Sequence, residues 1–261
     1  MSFETKEYTI SESFKNISID AKTADIVLVK SENSECTVNC YEQENMPHSV
    51  STNDGTLTVK LNDTRKWYEH LKVNFTSPKI TVYLPADKYD ALSIITSTGK
   101  VEISKDFSFE SIEISGSTGK ITNFASAKGD VKLEVSTGKI LVSNINAGSL
   151  DVKVSTGDAN ISSVRCKSFA SDGSTGDIEL EDVIAEERLT IKRNTGDISF
   201  DGCDAGELFI QTSTGNVEGS LLSEKIFIVD TDTGSKKVPS STVGGKCEIK
   251  TDTGNIKISI K

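Results

Sequence analysis

Histidine and tryptophan are nearly absent from this 261-residue chain: it has two histidines, His48 and His70, and one tryptophan, Trp67. So few imidazoles exclude a multi-histidine metal site and leave no His-based triad to assemble. No run of 18 apolar residues reads as a membrane-spanning helix. No apolar 3.6-residue period lasts long enough for a helix of any kind. The five cysteines (Cys36, Cys40, Cys166, Cys203, Cys247) include no Cys-x-x-Cys pair and outline no disulfide framework. Cys36 and Cys40 fall on one face of an expected strand, too far apart to bridge each other, while Cys203 and Cys247 fall at apolar repeat positions and read as small core residues. A basic stripe with interleaved aromatics is also missing. With a net charge of -10, that argues against nucleic acid and against direct adhesion to anionic lipid.

What fills the chain instead is a repeat. Thr-Gly occurs nine times, with glycines Gly99, Gly119, Gly138, Gly157, Gly176, Gly196, Gly215, Gly234 and Gly254 spaced 19 or 20 residues apart. A period near twenty is too short for a domain and suits one coil of a solenoid. Seven residues before each glycine the side chain is always apolar, from Leu92 and Ile112 to Phe227 and Cys247. Five before it, Ser171 is the one exception. Two and four after it the columns are again mostly Val and Ile, as in Val101 and Ile103 or Ile256 and Ile258. Apolar residues two apart mark strands with one buried face, so each coil carries one strand before the Ser-Thr-Gly corner and one after. A further column seven past the glycine (Ile145, Val164, Val183, Cys203, Leu222) is expected to pack at the next bend. Stacked at the strand spacing, nine coils make a rod of roughly 40 Å. The glycine supplies the positive φ of the corner, and the hydroxyls before it satisfy turn backbone and their neighbours one coil away.

Residues 91–261 therefore form a regular β-solenoid, and 1–90 an irregular β region that acts as its cap, with an inserted polar and aromatic loop at 62–76. Within that cap, FKNISIDAKTADIVL (14–28) repeats the pattern in degenerate form, Thr23-Ala24-Asp25-Ile26 standing for Thr118-Gly119-Lys120-Ile121. At the other end NIKISIK runs to Lys261 without a visible cap. Its alternating lysines blunt an otherwise open edge through which copies could self-associate.

Each candidate site has a structural alternative. Asp232-Thr233-Gly234 and Asp252-Thr253-Gly254 match the aspartic-protease triplet, but they are members of a ladder whose other copies carry Ser or Asn, on a rod without a cleft. Asp158, Asp177 and Asp197 follow three consecutive glycines and would stack; Ca²⁺ would relieve their repulsion, although solvated carboxylates near Lys153 and Lys192 are the simpler reading. Thr96-Ser97-Thr98 and its counterparts have the spacing of an ice-binding face, broken by Gly116, Val135, Val154, Gly173 and Arg193. Trp67, Tyr68 and His70 form the densest aromatic cluster. They are a candidate interaction surface for sugar or protein, or simply cover the end of the solenoid.

The iterated STGKVEI, STGKILV, STGDIEL, NTGDISF and DTGNIKI segments, each after an IEIS- or LDVKV-like strand, resemble a bacterial family of β-strand-repeat (STG-repeat) proteins named as candidate adhesins. The resemblance covers residues 90–261 and, weakly, the 14–28 segment. It implies a right-handed β-solenoid, commonly on an extracytoplasmic domain, and brings no catalytic, cofactor or metal residues. The expectation is a non-catalytic structural or adhesin-like module of the cell envelope whose ladder surfaces bind a protein or cell-wall glycan. The alternative is a self-assembling cytoplasmic scaffold, and a hydrolase comes last. The opening MSFETKEYTI carries no charged-then-apolar leader, so taken literally it predicts a cytoplasmic protein without membrane insertion. A surface protein cut free of its anchor would begin in the same way.

Overall fold

The computed structural model describes residues 3–43, 45–62 and 78–261. Among them there is no helix, and an 18-stranded sheet is parallel except near its N-terminal end. The N-terminal strands are β1 (Phe3–Ile10), β2 (Asn16–Ala21), β3 (Asp25–Lys30), β4 (Cys36–Gln43), β5 (His48–Asn53), β6 (Thr56–Leu61) and β7 (Lys79–Leu84). The repeats supply β8 (Lys88–Ile103), β9 (Ser108–Asn123), β10 (Ser126–Ala127), β11 (Asp130–Thr175), β12 (Ile178–Thr195), β13 (Ile198–Thr214) and β14 (Val217–Leu221). The last four are β15 (Lys225–Thr233), β16 (Lys236–Lys237), β17 (Gly245–Thr253) and β18 (Ile256–Ile260).

The repeat period is also the pairing register. Val131 of β11 lies against Ile112 of β9, Thr137 against Thr118 and Ile140 against Ile121. Leu189 and Ile178 of β12 lie against Leu208 and Ile198 of β13. Like side chains therefore pile on like, and Leu92, Ile112, Val131, Leu150, Phe169, Leu189, Leu208 and Cys247 form one buried column. Each large apolar side chain so enclosed contributes about 1.5–3 kcal/mol. At the corners backbone packs on backbone. A Cβ on Gly138 (φ 147°) would stand 1.8 Å from the Gly119 carbonyl oxygen, so both the left-handed conformation and the close approach require glycine. The corner threonine and the residue before it face solvent. The residue three before the glycine turns inward, and there Thr212, Thr231 and Thr251 donate their hydroxyls to the carbonyls of Gly196, Gly254 and Gly215 at 3.3, 2.9 and 3.0 Å. Burial of the first member of each Thr-x-Thr pair removes the flat array an ice-binding face needs.

Two exceptions in the columns explain each other. Arg193 occupies an inward position and is buried, and its guanidinium lies over Gly173, where a Cβ would be 2.4 Å from Nη1. Nη2 donates to Ser171 Oγ at 3.0 Å, the one polar residue of its column, and Nη1 to the Lys192 carbonyl at 3.2 Å. Phe200 and Gly219 form a similar pair, the ring filling the space of the missing side chain. In a stack of near-identical rungs such unique fits fix which rung lies on which, since a slip of one period would leave a buried cation over a Val.

Three details depart from expectation. Leu222 is exposed and Leu221 is buried in its place, because the β13–β14 register shifts between Phe200 and Cys203. The final strand is not an open edge: β18 lies between β14 and β16, and β17 between β13 and β15. The rung that ends the stack is thus residues 225–237, and the chain terminus is tucked beneath it. The N-terminal end mirrors this, with β2 and β3 held between β8 on one side and β6 and β7 on the other. Ala24 does take the glycine position, its carbonyl facing Gly99. Beyond that rung the chain turns antiparallel, β4 pairing with β7 and β1 with β4 on one face, and β5 with β6 on the other.

Candidate functional site

Along the outside of the stack, parallel register sets equivalent residues in rows. One row reads Glu179, Ser199, Glu218, Lys257, Lys237 across β12, β13, β14, β18 and β16. Its charge changes sign between Glu218 and Lys257, where the tucked C-terminal rung meets the regular ones. Beside it Lys261 reaches Asp201 at 2.6 Å, which holds that carboxyl below the usual aspartate range, with Ser220 Oγ donating to the same oxygen. These rows border a groove of about 690 Å³ that also includes Phe200 and Gly219.

A second constellation is interior. Alternation along β4 puts Cys40 and Glu42 on one buried face, and the turn into β5 brings His48 back onto them. Glu42 Oε2 accepts the His48 backbone N–H at 2.6 Å and lies 2.8 Å from Nδ1. Lys6 Nζ stands 2.9 Å from Oε1 of the same carboxylate and 3.0 Å from Glu4. Glu42 first, then Glu4, raises the Lys6 pKa, so the ammonium stays charged. A carboxylate paired with lysine only accepts, so Nδ1 donates to it; Nε2, on the far side of the ring, is buried and without a hydrogen bond. An unmet buried polar atom costs about 1–3 kcal/mol. Donor atoms of Cys40, Glu42 and His48 lie within 4.8 Å of one another, the one such set of three found among the described residues.

This set has the residue types of a nucleophile, a base and an orienting carboxylate, which two histidines in 261 residues gave no reason to expect. Burial, reinforced by the Glu42 charge, pushes the Cys40 thiol up to about 12, so it is protonated at neutral pH and lacks the thiolate that nucleophilic attack needs. Cys36 and Cys247 are likewise pushed up to about 12, and Cys166 and Cys203 to about 11, in each case first by burial. All five cysteines are free and buried.

The remaining sequence candidates separate. Trp67, Tyr68 and His70 lie outside the described residues. Asp158, Asp177 and Asp197 do stack, but each carboxylate accepts a backbone N–H from the next rung: Asp177 on Asp158 at 3.2 Å, Asp197 on Asp177 at 2.8 Å, Asn216 on Asp197 at 2.7 Å. Asn216, Asn255 and Ser235 continue the series, with Asn255 on Asn216 and Ser235 on Asn255 both at 2.9 Å. The ladder uses short acceptors to tie rungs together. Asp232 and Asp252 sit on adjacent rungs, exposed to solvent.

A family model for the Toastrack domain, DUF4097, matches residues 14–182 and 164–261. The chain belongs to that family. No curated protein matches it in sequence. Among solved structures, a candidate lipid-binding protein of Parabacteroides distasonis ATCC 8503 has a TM-score of 0.61 at 15% identity, covering 97% of this chain and 96% of that one. A candidate adhesin of the same organism has a TM-score of 0.60 at 13% identity, covering 98% and 97%. A candidate adhesin of Parabacteroides merdae ATCC 43184 gives 0.58 at 16%, covering 98% and 95%. At these identities the likeness is one of fold: an all-β, β-helix-like body.

Proposed function

We propose that this Toastrack chain is a non-catalytic, adhesin-like module of a bacterial cell surface, wound as a right-handed solenoid of 19- or 20-residue coils and binding through its ladder faces. In this reading 1–90 is the cap and 91–261 the binding body. The observation that carries it is the exposed row from Glu179 to Lys237, which offers both signs of charge along one groove. Such a row suits a partner that is itself bipolar, a protein segment or an amino-sugar glycan. The naming of two relatives as candidate adhesins, neither as an enzyme, is consistent with it. Retention of purified envelope protein or cell-wall glycan on the immobilised chain tests the proposal. Glu218→Lys with Lys257→Glu should abolish retention and Asp232→Asn should leave it intact; equal retention by all three proteins would refute it.

One observation favours a second reading, a self-assembling scaffold. Among the described residues β15 pairs only with β17, and Leu222, Ile226, Ile228 and Val243 are exposed around that last rung. An unpaired strand edge with apolar flanks is a template for another chain. Sedimentation over a range of concentrations separates the two, because a strict monomer has no use for this end.

A further inference from the structure

We propose that two copies of this chain join end to end through antiparallel pairing of β15 with β15, as a closed pair and not a filament. The inference rests on the scaffold reading of that end and narrows it to one partner, one orientation and one stoichiometry.

The backbone is the first argument. Gly254 N–H donates to the Thr233 carbonyl at 2.9 Å, so Thr233 faces β17. Backbone groups alternate sides along a strand, so those of Ile226, Ile228 and Asp230 point off the end of the stack. Among the described residues no strand meets them.

The side chains are the second argument, and they separate the two ends. Of the seven large apolar side chains exposed among the described residues, four (Leu222, Ile226, Ile228 and Val243) surround this rung. At the other end β1 pairs only with β4 and β5 only with β6 among the described residues. Those edges expose Glu4 and Glu7, and Ser49, Ser51 and Asn53. Charged and polar edges discourage strand addition, so head-to-tail growth has no second adhesive end.

Symmetry fixes the orientation. A twofold axis along the sheet normal reverses strand direction and keeps both interiors on one side, so the core runs through the junction. Parallel pairing would set one interior against the other copy's solvent face. With Ile228 on the axis it meets its own counterpart outside, while half-buried Phe227 meets the partner's Val229 inside. Ile226 then lies across from Asp230, and the outward backbone groups form about six N–H···O bonds. A junction of one short strand per copy falls below the roughly 1,200–2,000 Å² of standard interfaces, so the pair forms at about 10–100 µM.

Sedimentation equilibrium of the full chain should fit monomer and dimer with nothing larger. Ile228→Lys sets two ammonium groups opposite each other and should weaken pairing about tenfold or more. Ile95→Lys, at an isoleucine 56% exposed on a ladder face, should leave it unchanged. Orientation is read with single introduced thiols and a short bismaleimide, because the native thiols are buried. Ile228→Cys should link to its own copy, and mixing it with Ser51→Cys should give no mixed product. A mixed product, or growth beyond two copies, keeps the scaffold reading and overturns the pair. No association at about 200 µM removes both. Should the variants fail to fold, amide exchange in the unaltered protein decides. The N–H groups of Ile226, Ile228 and Asp230 should gain protection as concentration rises, and unchanged exchange refutes the junction.

Discussion

The two ends of this stack solve the same problem to different degrees. At both, the first or last parallel rung in sequence is not outermost: β2 and β3 lie beneath β6 and β7, and β17 and β18 lie beneath β15 and β16. The N-terminal end then goes on to antiparallel strands and a buried Lys6–Glu42–His48 network. Among the described residues the C-terminal end stops at β15, a strand paired on one side. Its half-buried Phe227 and Val229 face the core from one side only, and Ile226 and Ile228 are exposed. Tucking a rung between two others secures it against fraying, whereas only reversing strand direction and adding side-chain structure closes an end.

The largest expected effect comes from cutting each terminus. Removing 245–261 takes out the rung on which β15 and β16 rest, so everything after Leu221 should lose hydrogen-exchange protection. Removing 3–10 should peel only β1 and leave the repeats protected. Next is Glu42→Leu, which leaves the buried His48 backbone N–H and Nδ1 without their acceptor, while Lys6 keeps Glu4 and solvent. It should cost about 1–3 kcal/mol in denaturant unfolding, where the same change at the exposed Glu134 should move the midpoint far less.

Glycine substitutions compare an inner rung with the outer one. Gly254→Ala should cost about 3 kcal/mol or more, because a Cβ would stand 1.9 Å from the Gly215 carbonyl with another rung pressing from above. Gly234→Ala meets Gly254 at 2.0 Å, but its rung has no neighbour beyond it and can tilt away, so thermal unfolding should move by clearly less.

Alkaline pH acts on both ends through their thiols. Each folded-state value, about 11 to 12, lies above the unfolded value of roughly 8.5. The unfolded chain therefore loses protons first. Stability is complete below about pH 8.5 and falls as pH rises toward 11, by at most about 1.4 kcal/mol per pH unit for each thiol. Cys247→Ala and Cys36→Ala should each flatten that decline, as read from denaturant midpoints between pH 8 and 10. The smallest effect on stability, within about 0.5 kcal/mol, is expected from Ile226→Lys with Ile228→Lys. That pair should nevertheless abolish any concentration-dependent sedimentation if the open end self-associates.

The period, the corner glycines and the inner columns were legible because each is a residue type imposed by one geometric need, repeated nine times. Which rung neighbours which was not. Near-identical rungs satisfy the same columns in any order, so the tuck of 245–261 beneath 225–237 leaves no trace in the pattern. Ser171, Gly173 and Arg193 were visible as breaks, yet read one at a time they looked like noise; their meaning lies in the fit among them. The interior cluster had only a faint signature: Cys40 and Glu42 two apart on a strand, and His48 just past a short turn. Scarcity of histidine pointed away from it. The aspartate column was visible as like charges in a line, but its role depends on backbone N–H groups that no sequence pattern displays.

The tucked C-terminal rung has a consequence for synthesis. A ribosome delivers 225–237 before 245–261, so the segment that will close the stack emerges before the layer it must rest upon. Until 245–261 has emerged, β15 can only settle on β13 in a place reserved for β17, or wait. The first rungs face no such delay, since β8 can settle on β2 as soon as it emerges. A chain halted before 245–261 would thus carry well-formed first rungs and a last rung without the layer beneath it.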